Sequence, residues 1–422
     1  MLKIENEAAT ALDVAWARAQ FPSLLQTVNG HPAAFLDGPG GTQVPQRVID
    51  AISGYLKQSN ANTGGAYATS RRTDSMIAES RMAMADFLGC DSDEILFGPN
   101  MTTLTYALSR SIGRQLGASD EIVLTHLDHD ADISPWRALE ERGTRIRFVD
   151  IDESDCTLDM TDLVRKVTGH TRLLSIGYAS NAVGTINQVK KVIRIGHDRG
   201  AMVFIDAVHY GPHGLIDVRE LDCDFLACST YKFFGPHMGV LYGKREHLKR
   251  LQPYKVRANT DAIPNRWEWG TLNHECIAGV GACVEYLADL GRHADASAFH
   301  RRDALRAAYK AIQSYERGLA ERMIRGLTEI PGLKLYGIAD LTRLSERCPT
   351  FAVRISGHTP LELASKLGER GFFTWDGNYY ALNLTERLGI ESTGGFLRIG
   401  LVHYNTAEEV DRVVAALKEI VG

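Results

Sequence analysis

The sequence predicts an α/β protein in which a large domain with a mostly parallel sheet is followed by a smaller α+β domain. Between residues 94 and 242, short apolar runs alternate with helix-like segments, a pattern typical of a parallel sheet that helices cover on both faces. After about residue 275 this alternation gives way to long helices and then to a mixture of strands and helices. A chain of 422 residues is also longer than one small core needs, so two or three domains are expected.

The large domain is predicted from its apolar runs, which have the length and the flanking turn residues of buried strands. A helix precedes them, over VPQRVIDAISGYLKQ at residues 44–58, and its pattern is compatible with either domain. The predicted strands are 94–98, 121–125, 145–149, 172–177, 201–206, 224–228 and 238–243. Helices are predicted between several of them, at 101–117, around 135–143 and at 189–200.

The small domain is predicted from a different order of elements. The helices expected there cover 277–290, 303–328 and 360–370, and the strands cover 350–355, a stretch near 372–375, and 396–403. The chain closes with TAEEVDRVVAALKEIVG, in which Thr406 and Glu409 have the spacing of a helix capping box. The predicted limits are an N-terminal segment at 1–30 that packs on the small domain, a large domain at 31–275 and a small domain at 276–422.

The amino-acid composition limits which binding partners and which cellular location are expected for the protein. The 47 basic and 52 acidic residues give a formal charge of -5 without a long basic run, so neither nucleic acid nor an anionic membrane is expected as a partner. The N-terminus lacks an apolar signal core, and no stretch approaches the length of a membrane span. Seven scattered cysteines fit a reducing cytoplasm better than a disulfide framework, so a cytoplasmic location is expected.

One lysine stands in an unusual place. In DFLACSTYKFFGPHMGVLYG, residues 224–243, Lys232 lies in a short, hydroxyl-rich link between two buried strands. A lysine in such a link is badly placed for a solvated surface charge, although a loop lysine in water is the ordinary interpretation of an isolated one.

Other polar residues follow neighbouring strands at the same end of the predicted sheet, where open α/β sheets bind their ligands. Asp206 closes the strand at 201–206, His129 follows the strand at 121–125, and Met101 and Thr102 begin a helix after the strand at 94–98. A helix N-terminus with hydroxyl groups suits a phosphate group, although a helix cap explains Asp206 or Thr102 equally well when each is taken alone. Together these residues indicate pyridoxal phosphate, which needs a lysine, a carboxylate for its ring nitrogen, a phosphate site and a flat group over its ring.

The chain also resembles a known family. The segment IDAVHYGPHGLIDVRELDCDFLACSTYKFFGPHMGVLYG is similar to the class V aminotransferase superfamily, in particular to its cysteine desulfurase and selenocysteine lyase branch. The likeness begins at FPSLLQTVNGHPAAFLDGPGGTQVPQRVIDA and extends to LRIGLVHYNTAEEVDRVV, nearly the whole chain. The resemblance implies the type I pyridoxal-phosphate fold, that of aspartate aminotransferase, and a homodimer with shared active sites.

The resemblance also implies a role for single residues. Lys232 would hold the cofactor, Asp206 would pair with its ring nitrogen and His129 would stack on its ring. The other residues that the resemblance places at the cofactor are Asn181 and His209 near the ring hydroxyl, Met101, Thr102 and Ser229 at the phosphate, Tyr231 beside the lysine, and Thr271 reaching the phosphate from the neighbouring subunit. Arg398 would bind the substrate carboxylate, a role that suits its planar guanidinium, and Asn181 would also lie near the substrate.

The sequence departs from the family in one informative stretch. Desulfurases carry a nucleophilic cysteine in a loop similar to RTGHHCA, whereas this chain has WDGNYYA, with Tyr380 at the cysteine position and Trp375 at the arginine position. A tyrosine cannot accept sulfur as a persulfide. Cys276 and Cys348 are the cysteines hardest to dismiss as substitutes, but neither has a basic neighbour that clearly favours its thiolate. Trp375, Tyr379 and Tyr380 are instead expected to form an aromatic wall that selects the substrate.

We therefore expect a pyridoxal-phosphate-dependent lyase or desulfinase, similar to cysteine desulfurases but without a persulfide cysteine, that acts on a small amino acid. A class V aminotransferase is the alternative, and a non-catalytic scaffold of the same fold is the alternative of another kind. No metal site is expected, because the histidines of HLDHDAD and HYGPH lack partners at a defined spacing, and His213 is interpreted as a loop residue.

Overall fold

Seven strands form the central sheet, in a computed structural model that describes residues 11–422. In chain order the strands are β1 (Ile95–Gly98), β2 (Glu121–Thr125), β3 (Arg145–Val149), β4 (Thr171–Gly177), β5 (Met202–Asp206), β6 (Phe225–Ser229) and β7 (Gly239–Gly243). Their spatial order is β1-β7-β6-β5-β4-β2-β3, and β7 alone runs antiparallel to its two neighbours. The mostly parallel sheet of an α/β protein is therefore confirmed, and all seven predicted strands are present with ends shifted by at most one or two residues.

Helices cover both faces of this sheet. The helices of this part of the chain are α1 (Val14–Ala19), α2 (Gln46–Gln58), α3 (Ala68–Leu88), α4 (Met101–Gly113), α5 (Ser134–Arg137), α6 (Met160–Lys166), α7 (Val189–His197), α8 (Val218–Leu221) and α9 (Arg245–Arg250). Alternate residues of one strand enter different cores: Phe97 packs in one cluster and Leu96 in the other. This explains why the strands read as continuous apolar runs, since both of their faces are buried; the edge strand β3 is the exception, with Arg145 and Arg147 exposed.

A second sheet belongs to the C-terminal part. It has four antiparallel strands, β8 (Leu333–Tyr336), β9 (Thr350–Ile355), β10 (Trp375–Gly377) and β11 (Phe396–Gly400), in the spatial order β8-β9-β11-β10. The remaining helices are α10 (His274–Ala294), α11 (Arg301–Thr328), α12 (Pro360–Glu369), α13 (Leu382–Arg387) and α14 (Ala407–Val421). A separate apolar cluster fills the space between this sheet and α11, α12 and α14. The predicted capping box is present, because Thr406 accepts from the Glu409 amide and Glu409 from the Thr406 amide.

Short strands outside these two sheets also form pairs. Thr27–Val28 pairs with His31–Pro32, Ala34–Phe35 with Phe372–Phe373, and Ile151–Asp152 with Thr157–Leu158. The segment at 11–30 contacts α14 through an ion pair of 2.9 Å between Arg18 and Glu409. Residues 1–10 of the predicted N-terminal segment lie outside the described residues, and the domain limits at 30 and 275 stay a prediction. No helix within residues 11–422 combines the length and apolar character that crossing a membrane requires.

Helix α3 is the longest element that the sequence did not predict. Its buried face contains polar side chains that form hydrogen bonds with groups outside the helix, so its apolar residues do not form a clear stripe. Thr73 donates to the Ser59 carbonyl, and Arg81 donates to the Ile95 carbonyl and forms a bidentate pair with Glu268. The burial of these polar residues depends on their partners, so the spacing of apolar residues in the sequence does not reveal the helix.

Candidate active site

The carboxyl ends of five strands of the central sheet meet at one cavity. Residues that follow β1, β2, β4, β5 and β6 line it, as expected for a ligand site in an α/β sheet. Of the residues predicted to bind the cofactor, those that line this cavity are Met101, Thr102, His129, Asn181, Asp206, His209, Ser229, Tyr231 and Lys232. Thr271 is the exception, because it lies exposed at another surface cavity together with Met82 and Val256.

Lys232 is held at the cavity by backbone carbonyls. Its ammonium group donates to the carbonyls of Pro39 and Gly40, the latter at 2.8 Å, and lies 4.9 Å from the centre of the Tyr231 ring. Burial, with a smaller contribution from the positive charge of Arg398, lowers the pKa of Lys232 from 10.5 to about 7. A lysine with this pKa is partly neutral at neutral pH and can act as a nucleophile or a base.

Asp206 ends β5 below the same cavity. Its carboxylate is buried, accepts from the Val208 amide at 2.8 Å, and has its pKa raised by burial to about 6, against the opposing effect of Lys232. Two more buried carboxylates, Asp128 and Asp132, lie close enough to interact with it electrostatically, and burial raises the pKa of both. A cationic ring nitrogen placed beside Asp206 would supply the charge that this buried carboxylate lacks.

His129 presents a neutral ring to the cavity. Its Nδ1 accepts from the Ala131 amide at 3.0 Å, and burial followed by the charges of Lys232 and Arg398 lowers its pKa to about 4. The Tyr380 ring stacks on its outer side with 5.4 Å between ring centres. A flat uncharged ring in this position suits contact with an aromatic cofactor.

Asn181 and His209, which follow β4 and β5, supply polar groups to the same cavity. Asn181 donates to the Tyr379 carbonyl at 2.9 Å, while its side-chain oxygen is buried without a hydrogen-bond partner within the described chain. His209 lies 3.1 Å from the Thr350 hydroxyl, and burial holds its pKa well below the ordinary value. An unpaired buried oxygen in a polar cavity indicates that a ligand group belongs beside it.

The start of α4 forms the other end of the cavity. Asn100 caps the helix by accepting from the Thr103 amide, and the Ser229 hydroxyl accepts from the Met101 amide at 3.2 Å. Gly239 allows this approach, because a Cβ there would lie 2.3 Å from the Asn100 backbone. Amide groups at a helix N-terminus, beside the hydroxyls of Ser229 and Thr102, suit a phosphate group.

Arg398 lies on β11 and lines a second cavity that is continuous with the first. We call the cavity around Asp206 and Lys232 the inner cavity and the one around Arg398 the outer cavity. Its guanidinium donates to Asp37 at 2.7 Å and to the Asn181 carbonyl at 3.0 Å, and it covers the Tyr379 ring at 4.0 Å from the ring centre. Its Nε atom is buried without a hydrogen-bond partner in residues 11–422, although the residue is only 2% exposed. A substrate carboxylate at this guanidinium would therefore compete with Asp37.

The wall of this second cavity is the loop after β10. Tyr379 and Tyr380 both have positive φ angles, 56° and 61°, which are costly for residues of their size. Two hydrogen bonds hold the loop in this form, from Asn181 to the Tyr379 carbonyl and from the Asp130 amide to the Tyr380 carbonyl at 2.7 Å. The Trp375 and Tyr380 side chains are 52% and 72% exposed and line the opening.

His213, which the sequence presents as an ordinary loop residue, is buried. Its Nδ1 is hydrogen-bonded to the Glu316 carboxyl group of α11 at 2.8 Å, and both side chains are nearly inaccessible. His209, His213 and Cys348 place their potential ligand atoms within 4.8 Å of one another. The absence of a metal site stays a prediction.

The buried pair predicts a stability effect. Replacing Glu316 with leucine leaves the His213 ring buried without its partner, so the free energy of unfolding should fall by about 3 kcal/mol. Denaturant unfolding measures this change. Replacing Glu321 of the same helix, which pairs with Arg325 at the surface, is the control and should cost less than about 0.5 kcal/mol. Equal losses in the two variants would show that the buried pair contributes nothing specific.

Some residues of the site were not singled out from the sequence. Asp37 lies far from Arg398 in the chain, and the sequence predicts no role for Asp37 or Asp132, whereas the GPGG turn at residues 38–41, which supplies the Pro39 and Gly40 carbonyls, is interpreted from the sequence as a tight turn near the substrate. In the sequence, Asp128 stands out only as part of HLDHDAD, a stretch rich in potential metal ligands. Its position immediately before His129 was the signal available, whereas no local pattern links Asp37 to Arg398.

A buried carboxylate, a lysine of lowered pKa, a flat ring and a helix N-terminus, all at the carboxyl edge of a mostly parallel sheet, define the class of type I pyridoxal-phosphate enzymes. The residues fit that cofactor, since each of its ring nitrogen, phosphate and aldehyde groups has a suitable neighbour in one cavity. The sequence model of the family described as Aminotransferase class-V matches residues 34–413. The chain belongs to this family of pyridoxal-phosphate-dependent enzymes.

Comparisons with individual proteins agree with the family. A cysteine desulfurase from Pectobacterium atrosepticum is 33% identical over 420 residues, which cover 96% of this chain and 97% of that protein. A cysteine desulfurase from Synechococcus elongatus is 32% identical over 431 residues, which cover 98% of this chain but 65% of that protein, so the chain spans about two thirds of its length.

Solved structures give the same fold. The apo structure of a cysteine desulfurase from Thermococcus onnurineus matches with a TM-score of 0.83 at 25% identity, covering 95% of this chain and 98% of that one. A cysteine desulfurase from Escherichia coli matches with a TM-score of 0.82 at 24% identity, covering 98% and 100%. The latter likeness concerns the fold alone. The type I fold and the desulfurase-like branch expected from the sequence are confirmed.

Proposed function

We propose that this chain is a pyridoxal-phosphate-dependent lyase or desulfinase of the cysteine desulfurase-like branch, acting on a small amino acid without a persulfide cysteine. The observation that carries the proposal is the lining of the two joined cavities. Residues 11–422 include all seven cysteines, and none of them lines either cavity. Tyr380 occupies the mouth, at the position where the resemblance places the desulfurase nucleophile.

The thiols themselves support this proposal. Burial raises the pKa of every cysteine, including Cys276 and Cys348, the two that the sequence left open as sulfur carriers. A thiol with a raised pKa has little thiolate at neutral pH and is a poor nucleophile. The reaction is therefore proposed to release a leaving group that needs no cysteine acceptor, such as a sulfinate or a selenium species.

The residues of the inner cavity would have different roles in binding the cofactor and in proton transfer. Bound pyridoxal phosphate would supply an electron sink for the carbanion formed at the substrate α-carbon. Lys232 would hold the cofactor and then move a proton at the α-carbon, since its lowered pKa leaves a neutral amine. Asp206 would keep the ring nitrogen protonated, and Ser229, Thr102 and the Met101 amide would hold the phosphate.

The residues of the outer cavity would position the substrate. Arg398 would bind the α-carboxylate in place of Asp37, and Asn181 would contact the substrate beside the ring hydroxyl and His209. Fixing the carboxylate determines which bond of the α-carbon stands perpendicular to the ring, and so which bond breaks. Trp375, Tyr379 and Tyr380 would form the wall that selects the side chain.

A homodimer with shared active sites is part of the proposal. Thr271 does not line the inner cavity of its own chain, and it shares its surface cavity with the exposed apolar side chains Met82 and Val256. A partner subunit docked there could carry Thr271 to the neighbouring phosphate site. Light scattering should find a dimer, and an active monomer would contradict the shared site. The cytoplasmic location expected from free cysteines also belongs to the proposal.

The lowered pKa of Lys232 predicts a pH dependence. Only the neutral amine attacks the cofactor aldehyde, so the rate of cofactor capture by cofactor-free protein should rise about tenfold per pH unit below 7 and level off above about pH 7. Stopped-flow absorbance with added pyridoxal phosphate measures this rate. An ordinary lysine of pKa 10.5 would instead give a rise that continues well above pH 9.

The experiment that tests the function is the visible spectrum of the loaded enzyme during addition of single amino acids, cysteine and cysteine sulfinate among them. A band that changes and then recovers while product accumulates supports a lyase or desulfinase. A band that stays bleached until a keto acid is added identifies an aminotransferase and contradicts the proposal. Replacing all seven cysteines with serine or alanine in a folded variant should leave the lyase turnover in place.

A further inference from the structure

The His209 ring lines the inner cavity, and only one of its two nitrogens has a hydrogen-bond partner within residues 11–422. Its Nε2 atom lies 3.1 Å from the hydroxyl oxygen of Thr350. Burial is the main cause that holds the pKa of this ring well below its ordinary value. The ring is therefore neutral at neutral pH and carries a single proton, on either Nδ1 or Nε2.

Thr350 reaches this ring from the second sheet. It lies on β9, two residues before Ala352, which is paired with Arg398 of β11 in the antiparallel register. Residues paired in this way, and alternate residues of one strand, point to the same face of a sheet. The Thr350 side chain is therefore on the face that carries Arg398, so the sheet that supplies the proposed substrate-binding arginine also contacts His209.

The Thr350 hydroxyl is fully buried and held in place by its strand. The Thr350 amide donates to the Cys348 carbonyl at 2.8 Å, and the Thr350 carbonyl accepts from Arg347. In the part of the chain that the structure describes, His209 Nε2 is the only hydrogen-bond partner of the hydroxyl. A buried hydroxyl proton that has no acceptor is costly.

This cost distinguishes the two tautomers of His209. With the ring proton on Nε2, that nitrogen would donate to Thr350, and the buried hydroxyl proton would have no acceptor. With the ring proton on Nδ1, the lone pair of Nε2 accepts from the hydroxyl, and both groups are satisfied. The contact with Thr350 therefore favours the tautomer whose N–H group is at Nδ1.

The other groups that face His209 leave this preference in place. The His213 ring centre lies 5.2 Å away, but its Nε2 atom has no hydrogen-bond partner within residues 11–422. Cys348 also lies beside the ring, and burial raises the pKa of its thiol, so it is uncharged. Arg398 and Lys232 act through their charge and disfavour a protonated ring without selecting either nitrogen.

We propose that Thr350 is a positioning residue whose hydroxyl donates to Nε2 of His209 and fixes the ring proton on Nδ1, from which His209 donates to the ring hydroxyl oxygen of the cofactor. The inference rests on the proposed function, because that proposal places His209 beside the ring hydroxyl. A donor to this oxygen stabilises its ionised form and weakens its attraction for the proton on the nitrogen that joins cofactor and lysine. That proton should therefore leave at a lower pH than it would without the donor.

The tautomer is measured directly by two-bond nitrogen–proton NMR of the full-length chain with isotope-labelled histidine, at neutral pH, with and without the cofactor. This spectrum distinguishes protonated from unprotonated ring nitrogens, and His209→Gln identifies the His209 signals by their loss. We expect a protonated Nδ1 in the unmodified protein and in Thr350→Ser, and a mixture of tautomers in Thr350→Val. A proton on Nε2 in the unmodified protein would overturn the inference.

The effect on the cofactor is measured as the pH midpoint of the visible band of the loaded enzyme. Thr350→Val should raise this midpoint by about half to one pH unit, the size expected when one hydrogen bond is weakened. Thr350→Ser keeps the hydroxyl and should restore the midpoint. Thr185→Val is the matched control, because Thr185 is equally buried, donates to the Cys156 carbonyl at 3.0 Å and lines neither cavity, so its midpoint should not change.

The outcomes separate this inference from the proposed function. An unchanged midpoint in Thr350→Val, or an equal shift in Thr185→Val, would overturn the inference while leaving the proposed function in place. A chain that does not bind pyridoxal phosphate would overturn the proposed function together with the role of His209 at the cofactor, and the NMR spectrum of that chain would still decide the tautomer.

Discussion

Replacing Lys232 with alanine is expected to lower turnover by at least about 10³-fold, because one amine would both hold the cofactor and move the substrate proton. The visible band of the bound cofactor should shift or disappear, since no other lysine lines the inner cavity within residues 11–422. Steady-state turnover and the absorption spectrum measure the two effects. The free energy of unfolding should change little, since the partners of the ammonium in the described part of the chain are only the Pro39 and Gly40 carbonyls and the Tyr231 ring face.

The matched control for this variant is Lys244→Ala. Lys244 is half-buried and ion-paired with Asp222 and Asp224, but it does not line either cavity. Turnover of this variant should equal that of the unmodified enzyme. If Lys232→Ala retained most of the turnover, the assignment of the lysine would be wrong.

Replacing Asp206 with asparagine is expected to lower turnover by about 10² to 10³-fold, which is the cost of losing one preorganised electrostatic group. Asparagine can still accept from the Val208 amide, so the end of β5 should keep its form. The charge that favours a protonated ring nitrogen is lost, and the carbanion at the substrate is then less stabilised. Turnover at saturating substrate measures the effect.

The result is specific only if the cofactor is still bound. The Asp206→Asn enzyme should retain a visible band, because Lys232, Ser229 and the Met101 amide are unchanged. Normal turnover in Asp206→Asn would contradict the role given to Asp206. Complete loss of the cofactor from Asp206→Asn would also contradict it, if the comparison variant Ser229→Ala still bound the cofactor.

The strand ends explain why so much of the inner cavity could be predicted from the sequence. Apolar runs located the strands, and the rule that parallel sheets bind ligands at their carboxyl ends selected His129, Asp206 and Lys232. The assignments of Asn181 and His209 depended on the family resemblance. Their location at one cavity follows from the structure, whereas their roles remain to be tested.

The features of the site that the sequence does not predict depend on contacts between residues that are far apart in the chain. Asp37 meets Arg398 through contacts between segments 361 positions apart. The conformation of Tyr379 and Tyr380 depends on hydrogen bonds from Asn181 and Asp130, which no local pattern reveals. In the same way, the burial of His213 depends on Glu316 of α11, and that of Arg81 in α3 depends on Glu268.

The central claim is that Lys232 carries the cofactor in this site. The most direct measurement is to reduce the loaded enzyme with borohydride, digest it and identify the labelled peptide by mass spectrometry. We predict a single pyridoxyl group on Lys232. A label on another lysine, or a coloured enzyme in which no lysine is labelled after reduction, would contradict the account.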